Sequence, residues 1–313
     1  MKGQATERVV VAIGVFDGVH LGHQALLNRV TEASEREEAL SGVITFDPPP
    51  LAVLEPTSEP FQITLLSKKK RLLTEFGVQR VLVIPATAEF LALPAEDFIE
   101  QVLLNEMNPA GVVVGHDFRF GAGGAGSIEQ LKAAGSSRGF WVDELAPVTV
   151  GEQRVSSTRI RREIGKGRIA EATEMLGRLH TVTGRVVSGE GIGARELVPT
   201  ANLSVDPAQL LPAAGVYAVT GQIEGSDYAG VANVGRAPTL GTGHDRLVEV
   251  HWLDFSGDLR GQDLEIGFSD WLRDQTRYKS IAELGLAIES DIMKVRQKLI
   301  LGSDNHLAPG RGI

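Results

Sequence analysis

There is no cysteine in this chain of 313 residues. That excludes disulfides, thiolate metal sites and thiol nucleophiles, and it fits a reducing compartment. Basic excess is missing as well: the formal net charge is −9, which argues against a general nucleic-acid binder. No apolar run approaches the ~18 residues that a membrane-crossing helix needs. The opening stretch "MKGQATERVVVAIG" does not read as a secretory signal, because its apolar part is short, β-branched and followed at once by polar residues. A Walker A loop is absent, so phosphate binding by a P-loop is excluded. These absences lead to the expectation of a cytoplasmic protein with neither a nucleic-acid nor a membrane partner. They leave its oligomeric state open.

What is present is ordinary for a globular protein, with 42% apolar and 23% charged residues, and the length favours two domains. Up to about residue 145, β-branched runs at 8–16, 41–46, 80–86 and 111–115 alternate with helical patterns near 21–36, 64–76, 94–105 and 127–135. Runs apolar on both faces and separated by helices predict an α/β domain with a parallel, Rossmann-like sheet. Two short helices are expected within 155–178. Beyond about 181 the texture changes to short alternating strands punctuated by Gly, Pro and Asp, the pattern of an antiparallel β-barrel or sandwich, followed by a helix over 280–300. The boundary is expected near 180, giving domains 1–180 and 181–302 and a disordered tail 303–313. The basic run "SKKKR" at 67–71 reads as the solvated face of a helix.

The stretch "GVFDGVHLGHQ" (14–24) follows the first strand directly. His20 and His23 stand three apart at a helix start and so share a face. The first helical turn has unsatisfied N–H groups and a partial positive charge, and imidazoles there can add hydrogen bonds to phosphoryl oxygens. Gly14, Gly18 and Gly22 let a ligand approach the backbone closely. A metal site would need a third ligand that nothing nearby supplies, and an ordinary turn is the remaining reading. Far along the chain "SSTRIRR" (156–162) joins hydroxyls to arginines, a second anion-seeking element, which favours a nucleoside triphosphate over the other readings.

"GVFDGVHLGHQALL", "VVVGHDFRFGAGGAG" and "VSSTRIRREIGKG" together resemble the FMN adenylyltransferase module of the prokaryotic bifunctional riboflavin kinase/FAD synthetases, which belongs with the H-x-G-H nucleotidyltransferases. "VPTANL" (198–203), "GVYAV", "GVANVGRAPT", "VEVHWLDF" (248–255) and "LRGQDLEIGF" resemble the riboflavin kinase module of the same enzymes, so the likeness spans nearly the whole chain. The resemblance implies that His20 and His23 hold the ATP phosphates, with Gly14, Phe16, Asp17 and Gly22 around them. It places Ser156, Ser157, Thr158 and Arg159 or Arg161 on the triphosphate side and Asp117 where adenylate and flavin meet. In the second half it implies ATP and Mg²⁺ at Gly191, Gly193, Thr200 and Asn202, flavin at Asn233 and Arg273, and Glu249 as the base that takes a proton from the ribityl hydroxyl. Thr200 and Asn202, two apart on an extended segment, face the same way and offer the hard oxygens Mg²⁺ prefers. Glu249, between two valines, is expected among apolar surroundings; read alone it fits a solvent-facing strand residue better than a catalytic one, and the resemblance reverses that.

Four positions depart from the family's pattern. Proline stands at 49 where the family reads F-x-P-H-P. The flap "GEGIGARELV" (189–198) has Ile192 and Ala194 where the family has arginines, and Gln275 replaces a frequent glutamate. The leading expectation is an enzyme that makes FMN from riboflavin and ATP and then FAD from FMN and ATP. An adenylyltransferase with a barrel that only binds flavin, and a flavin sensor without catalysis, are the alternatives.

Overall fold

Five consecutive apolar residues, Val9–Ile13, form strand β1, and every one is buried. Alternate side chains of a strand face opposite ways, so such a run needs cover on both sides. Val9, Val11 and Ile13 enter a core with Phe98, Leu103 and Phe120. Val10 and Ala12 enter a second core with Leu26, Leu27 and Val30, which share one face of helix α1 (Leu21–Arg36). The computed structural model describes residues 7–55, 61–188, 199–236 and 246–302.

With β2 (Leu40–Phe46), β3 (Arg80–Ile84), β4 (Pro109–Gly115) and β5 (Trp141–Leu145), β1 builds a parallel sheet in the order β3-β2-β1-β4-β5. Four of these strands match the sequence expectation. β5 escaped it because it is an edge strand that carries Asp143 and Glu144, which pair with Arg29 at 2.6 Å and Lys132 at 2.9 Å. The chain leaves β1 toward β2 and β3, then returns to β4 on the other side. The crevice beyond the carboxyl ends of β1 and β4 is therefore the switch point at which open α/β sheets bind ligands. The expected helices appear at Leu66–Glu75 and Ile128–Arg138, and the third as a short turn Ala95–Asp97 that runs into a π-wound segment, Phe98–Met107. Two short strands, β6 (Thr149–Val150) and β7 (Gln153–Arg154), form a hairpin.

The helices Ser157–Gly165 and Ile169–Leu176 precede six strands: β8 (His180–Val187), β9 (Ala201–Val205), β10 (Gly215–Ile223), β11 (Ser226–Arg236), β12 (Arg246–Trp252) and β13 (Asp263–Arg273). They close into an antiparallel barrel in the order β10-β11-β12-β9-β8-β13, which decides between barrel and sandwich and leaves no open edge. β9 covers Asn202, which the sequence reading places on an extended segment. Val182, Leu203, Tyr217, Val219, Ala232, Val248, Val250, Ile266 and Phe268 fill the interior. The terminal helix, Ile281–Gly302, packs Ile292 and Val295 on the outside of the barrel against Val216, Ala218 and Val231.

The chain divides into two compact units, Met1–Ser157 and Thr158–Ile313. The helix Ile169–Leu176 packs with the barrel, since Ile169 belongs to its core. The flap 189–198 and the tail 303–313 lie outside the described residues.

Candidate functional site

The turn between β1 and α1 is tightly built. Phe16, Gly18 and Val19 have positive φ values of 53°, 87° and 40°. Such angles are costly for Phe and Val, and complete burial of both side chains holds them there. The turn delivers His20 to the N-cap of α1, where its Nδ1 accepts the His23 N–H at 3.3 Å. A neutral His20 accepting there carries its proton on Nε2. The His20 and His23 rings stack with centroids 3.7 Å apart and planes 13° apart, and Phe16 lies 4.9 Å from the His23 ring. Gly22 leaves room for this stack, because a Cβ there would stand 3.1 Å from His20 Cε1, a tight contact. Gly14 similarly leaves room for the Phe16 ring. Asp17 is buried, and its carboxylate accepts the N–H groups of Ile63 at 3.2 Å and Thr64 at 3.0 Å. The side chain expected beside ATP thus fastens the turn to the segment before the helix Leu66–Glu75. The Asp17 carbonyl accepts the Ser157 hydroxyl at 2.8 Å, which brings Ser157 to the same turn.

Beyond β4, Asp117 is bonded by Arg154 at 2.8 Å and flanked by His116 at 3.8 Å. Partial burial opposes ionisation, but the Arg154 hydrogen bond and charge, helped by His116, hold the carboxyl below the usual carboxylate range. Ser156 is half-buried at the end of the same unit. Thr158, exposed, and Arg159 and Arg161, half-buried, follow on the helix Ser157–Gly165. Arg162 is committed to the buried Glu163 at 2.8 Å.

In the barrel, register sets the second site. Asn202 on β9, Glu249 on β12 and Asn233 on β11 are direct cross-strand partners, one rung across three strands. Their neighbours Val248 and Val250 fill the barrel interior, so the rung faces outward. The apolar surroundings expected for Glu249 are therefore corrected: on its own face it is bracketed by amides. Asn233 Nδ2 donates to Glu249 Oε2 at 3.2 Å, and Gln275 Nε2 donates to Asn233 Oδ1 at 2.7 Å. Two hollows flank the rung. One, of ≈ 650 Å³, is lined by Thr200, Asn202, Glu249 and Asp258. The other, of ≈ 850 Å³, is lined by Thr200, Asn233, Glu249, His251, Arg273 and Gln275. Thr200 and Glu249 belong to both. Asp258 holds Arg260 through Oδ2 at 2.6 Å, and this hydrogen bond pulls its carboxyl down to about 2.

Two family models match the chain, "FAD synthetase" over residues 2–159 and "Riboflavin kinase" over residues 176–299. The bifunctional riboflavin kinase/FMN adenylyltransferase of Escherichia coli K12 is 36% identical over 294 residues, covering 93% of both chains. That of Pseudomonas fluorescens is 34% identical over 287 residues, covering 92% of both. The chain belongs to this family. A crystal structure described as a macrolide-efflux protein from Streptococcus pneumoniae shares the fold, with a TM-score of 0.85, 30% identity and coverage of 94% and 95%. Among the described residues of the present chain no helix is long and apolar enough to cross a membrane.

Membership in the riboflavin kinase/FMN adenylyltransferase family gives the remaining positions their interest. Pro49 is buried and precedes the short helix Pro50–Leu54. Gly191 and Gly193, expected at ATP, lie in the flap outside the described residues. Arg273 lines the larger hollow, yet its guanidinium is held by Asp291, with Nη2 to Oδ2 at 2.8 Å and Nε to Oδ2 at 2.9 Å. Asp291 is 2% exposed, so Asp291→Ala should leave a guanidinium without its buried partner and destabilise the barrel unit by about 3 kcal/mol in a denaturant melt.

Lys69 is the residue that sequence reasoning missed. The "SKKKR" run was expected on a solvated face, but Lys69 is 1% exposed. Its Nζ donates to the carbonyls of Val15 and Phe46, both at 3.1 Å. Burial draws its pKa below the ordinary lysine range against the pull of Asp17 and Asp47. The signal was present in the spacing: Lys69 stands three and four residues before Leu72 and Leu73, the buried stripe of its helix.

Proposed function

We propose that the chain makes FAD in two steps, phosphorylating riboflavin at the barrel rung and adenylylating the resulting FMN at the histidine turn. The observation that carries this reading is that two hollows share Glu249 and Thr200 in their linings. A phosphoryl group passes between two bound anions or alcohols only where their pockets touch. ATP in the smaller hollow and riboflavin in the larger would bring the γ-phosphorus and the ribityl hydroxyl together at that junction. The hydroxyl oxygen bonds to the γ-phosphorus, the bond to ADP breaks, and the hydroxyl proton passes to Glu249. Asn233 occupies Oε2, and among the described residues no hydrogen bond engages Oε1, the oxygen we assign to the proton.

Thr200 and Asn202 supply a hydroxyl and an amide oxygen, a donor set suited to Mg²⁺ that arrives on ATP. Among the described residues no three His, Asp or Glu side chains converge on a metal position, so the protein would complete a coordination sphere begun by phosphates. Bound there, Mg²⁺ would supply neutralisation of phosphate charge.

At the histidine turn an FMN phosphate oxygen attacks the α-phosphorus of ATP, and the bond to pyrophosphate breaks. No covalent enzyme intermediate is needed. His20 and His23, stacked at the positive end of α1, donate to the phosphoryl oxygens as charge builds. Ser156, Ser157, Thr158 and Arg159 or Arg161 take the triphosphate, and Asp117 lies toward the junction of adenylate and flavin. Asp17, Phe16 and the glycines keep the turn in shape. We assign adenylyl transfer to residues 1–180 and phosphorylation to residues 181–302. The same reading places the enzyme with its ATP supply in the cytoplasm, without a nucleic-acid partner.

Purified protein given riboflavin, ATP and Mg²⁺ should yield FMN and then FAD on chromatography. FAD from supplied FMN but no product from riboflavin would reduce the barrel to a binding domain. Neither product in either assay would overturn the whole reading.

A further inference from the structure

We propose that Lys69 is a positioning residue for adenylyl transfer: its ammonium ties the turn that carries His20 and His23 to the end of β2, and so fixes where the imidazoles stand. The inference rests on the adenylyltransferase reading. Val15 lies beyond the end of β1, so its carbonyl has left the strand ladder. Two groups hold that carbonyl, Lys69 Nζ at 3.1 Å and the Thr45 hydroxyl at 2.9 Å. The same Nζ holds the Phe46 carbonyl at 3.1 Å and stands 3.4 Å from Thr45 Oγ1. An ammonium has three N–H donors, and these three oxygens account for them.

The anchored atom is well chosen. Val15 immediately precedes Phe16, the residue with φ of 53° whose ring lies against His23. A shift at Val15 therefore passes through Phe16 to the stacked histidines. From the other direction Asp17 grips the amides of Ile63 and Thr64, just ahead of the helix that carries Lys69. Turn and helix are thus pinned on both sides of Phe16, once by a buried cation and once by a buried anion. Lys69 touches no reacting atom in this scheme. It acts through the turn, and a displacement of about 1 Å in groups that orient a reaction can cost 10²-fold in rate.

The test uses the full chain. Lys69→Met removes the ammonium and keeps the stem. It should lower kcat for FAD formation from FMN about 100-fold while the KM for ATP changes less than about threefold. FMN formation from riboflavin serves as the reference activity and should hold. A folded Lys69→Met protein with kcat within threefold of the parent overturns the proposal, and so does a variant whose entire loss appears in KM. Should Lys69→Met fail to fold, Thr45 decides. Thr45→Val deletes the hydroxyl on Val15 with little change of shape and should lower kcat several-fold, and Thr45→Ser, which keeps it, should recover most of that. Equal activity of the two Thr45 variants overturns the proposal. A parent protein that makes no FAD at all defeats the underlying function instead, and the two failures are therefore distinct.

Discussion

Glu249→Gln should lower FMN formation from riboflavin about a thousandfold, with FAD formation from supplied FMN staying within about twofold. Glutamine keeps the size of the side chain, and its amide oxygen can still accept from Asn233, so the rung across β9, β12 and β11 should persist. What it loses is the capacity to take a proton as the ribityl oxygen bonds to phosphorus. The KM values for riboflavin and ATP should move little, because Thr200, Asn202 and the other lining residues of both hollows are untouched and glutamine keeps the volume of Glu249. Initial rates followed by chromatography with each flavin substrate give both numbers. A loss of less than tenfold would move the base elsewhere. An alternative on the same face is His251, two residues along β12, whose Nδ1 lies 2.8 Å from the Pro199 carbonyl oxygen.

Features written in consecutive residues are legible in the sequence. β1 and β4 are unbroken apolar runs, and α1 keeps its apolar residues on one face. The histidine turn follows β1 with no residues to spare. Features that depend on pairing across the chain were less so. That Asn233, Glu249 and Asn202 form one rung follows from barrel register, which brings together residues 16 and 47 positions apart in sequence. No local pattern states that register. β5 was hidden by the carboxylates an edge strand tolerates, and Arg273 by a partner, Asp291, on the terminal helix. Asp17 and Lys69 show the limit most clearly. One was read as a ligand contact and the other as surface charge, and both turn inward to hold the turn. Charge suggests solvent or ligand until the acceptors that satisfy it are seen.

His23→Ala should lower FAD formation from FMN about a thousandfold and leave FMN formation from riboflavin within twofold. The local structure makes this a clean substitution. The cap of α1 runs from the backbone N–H of residue 23 to the His20 imidazole, and alanine keeps that N–H. Alanine is also the best helix former, so α1 should not fray. The change therefore removes a ring, with its stacking on His20 and its donor toward phosphate, without removing the turn. His20→Ala provides the contrast. It deletes the cap together with the ring, and it should cost about 1 kcal/mol of stability in addition to a comparable loss of rate. Denaturant melts of the two variants beside their rates separate the capping role of His20 from the charge-stabilising role the pair shares. If His23→Ala depressed FMN and FAD formation equally, the assignment of adenylyl transfer to this turn and phosphorylation to the barrel rung would fail.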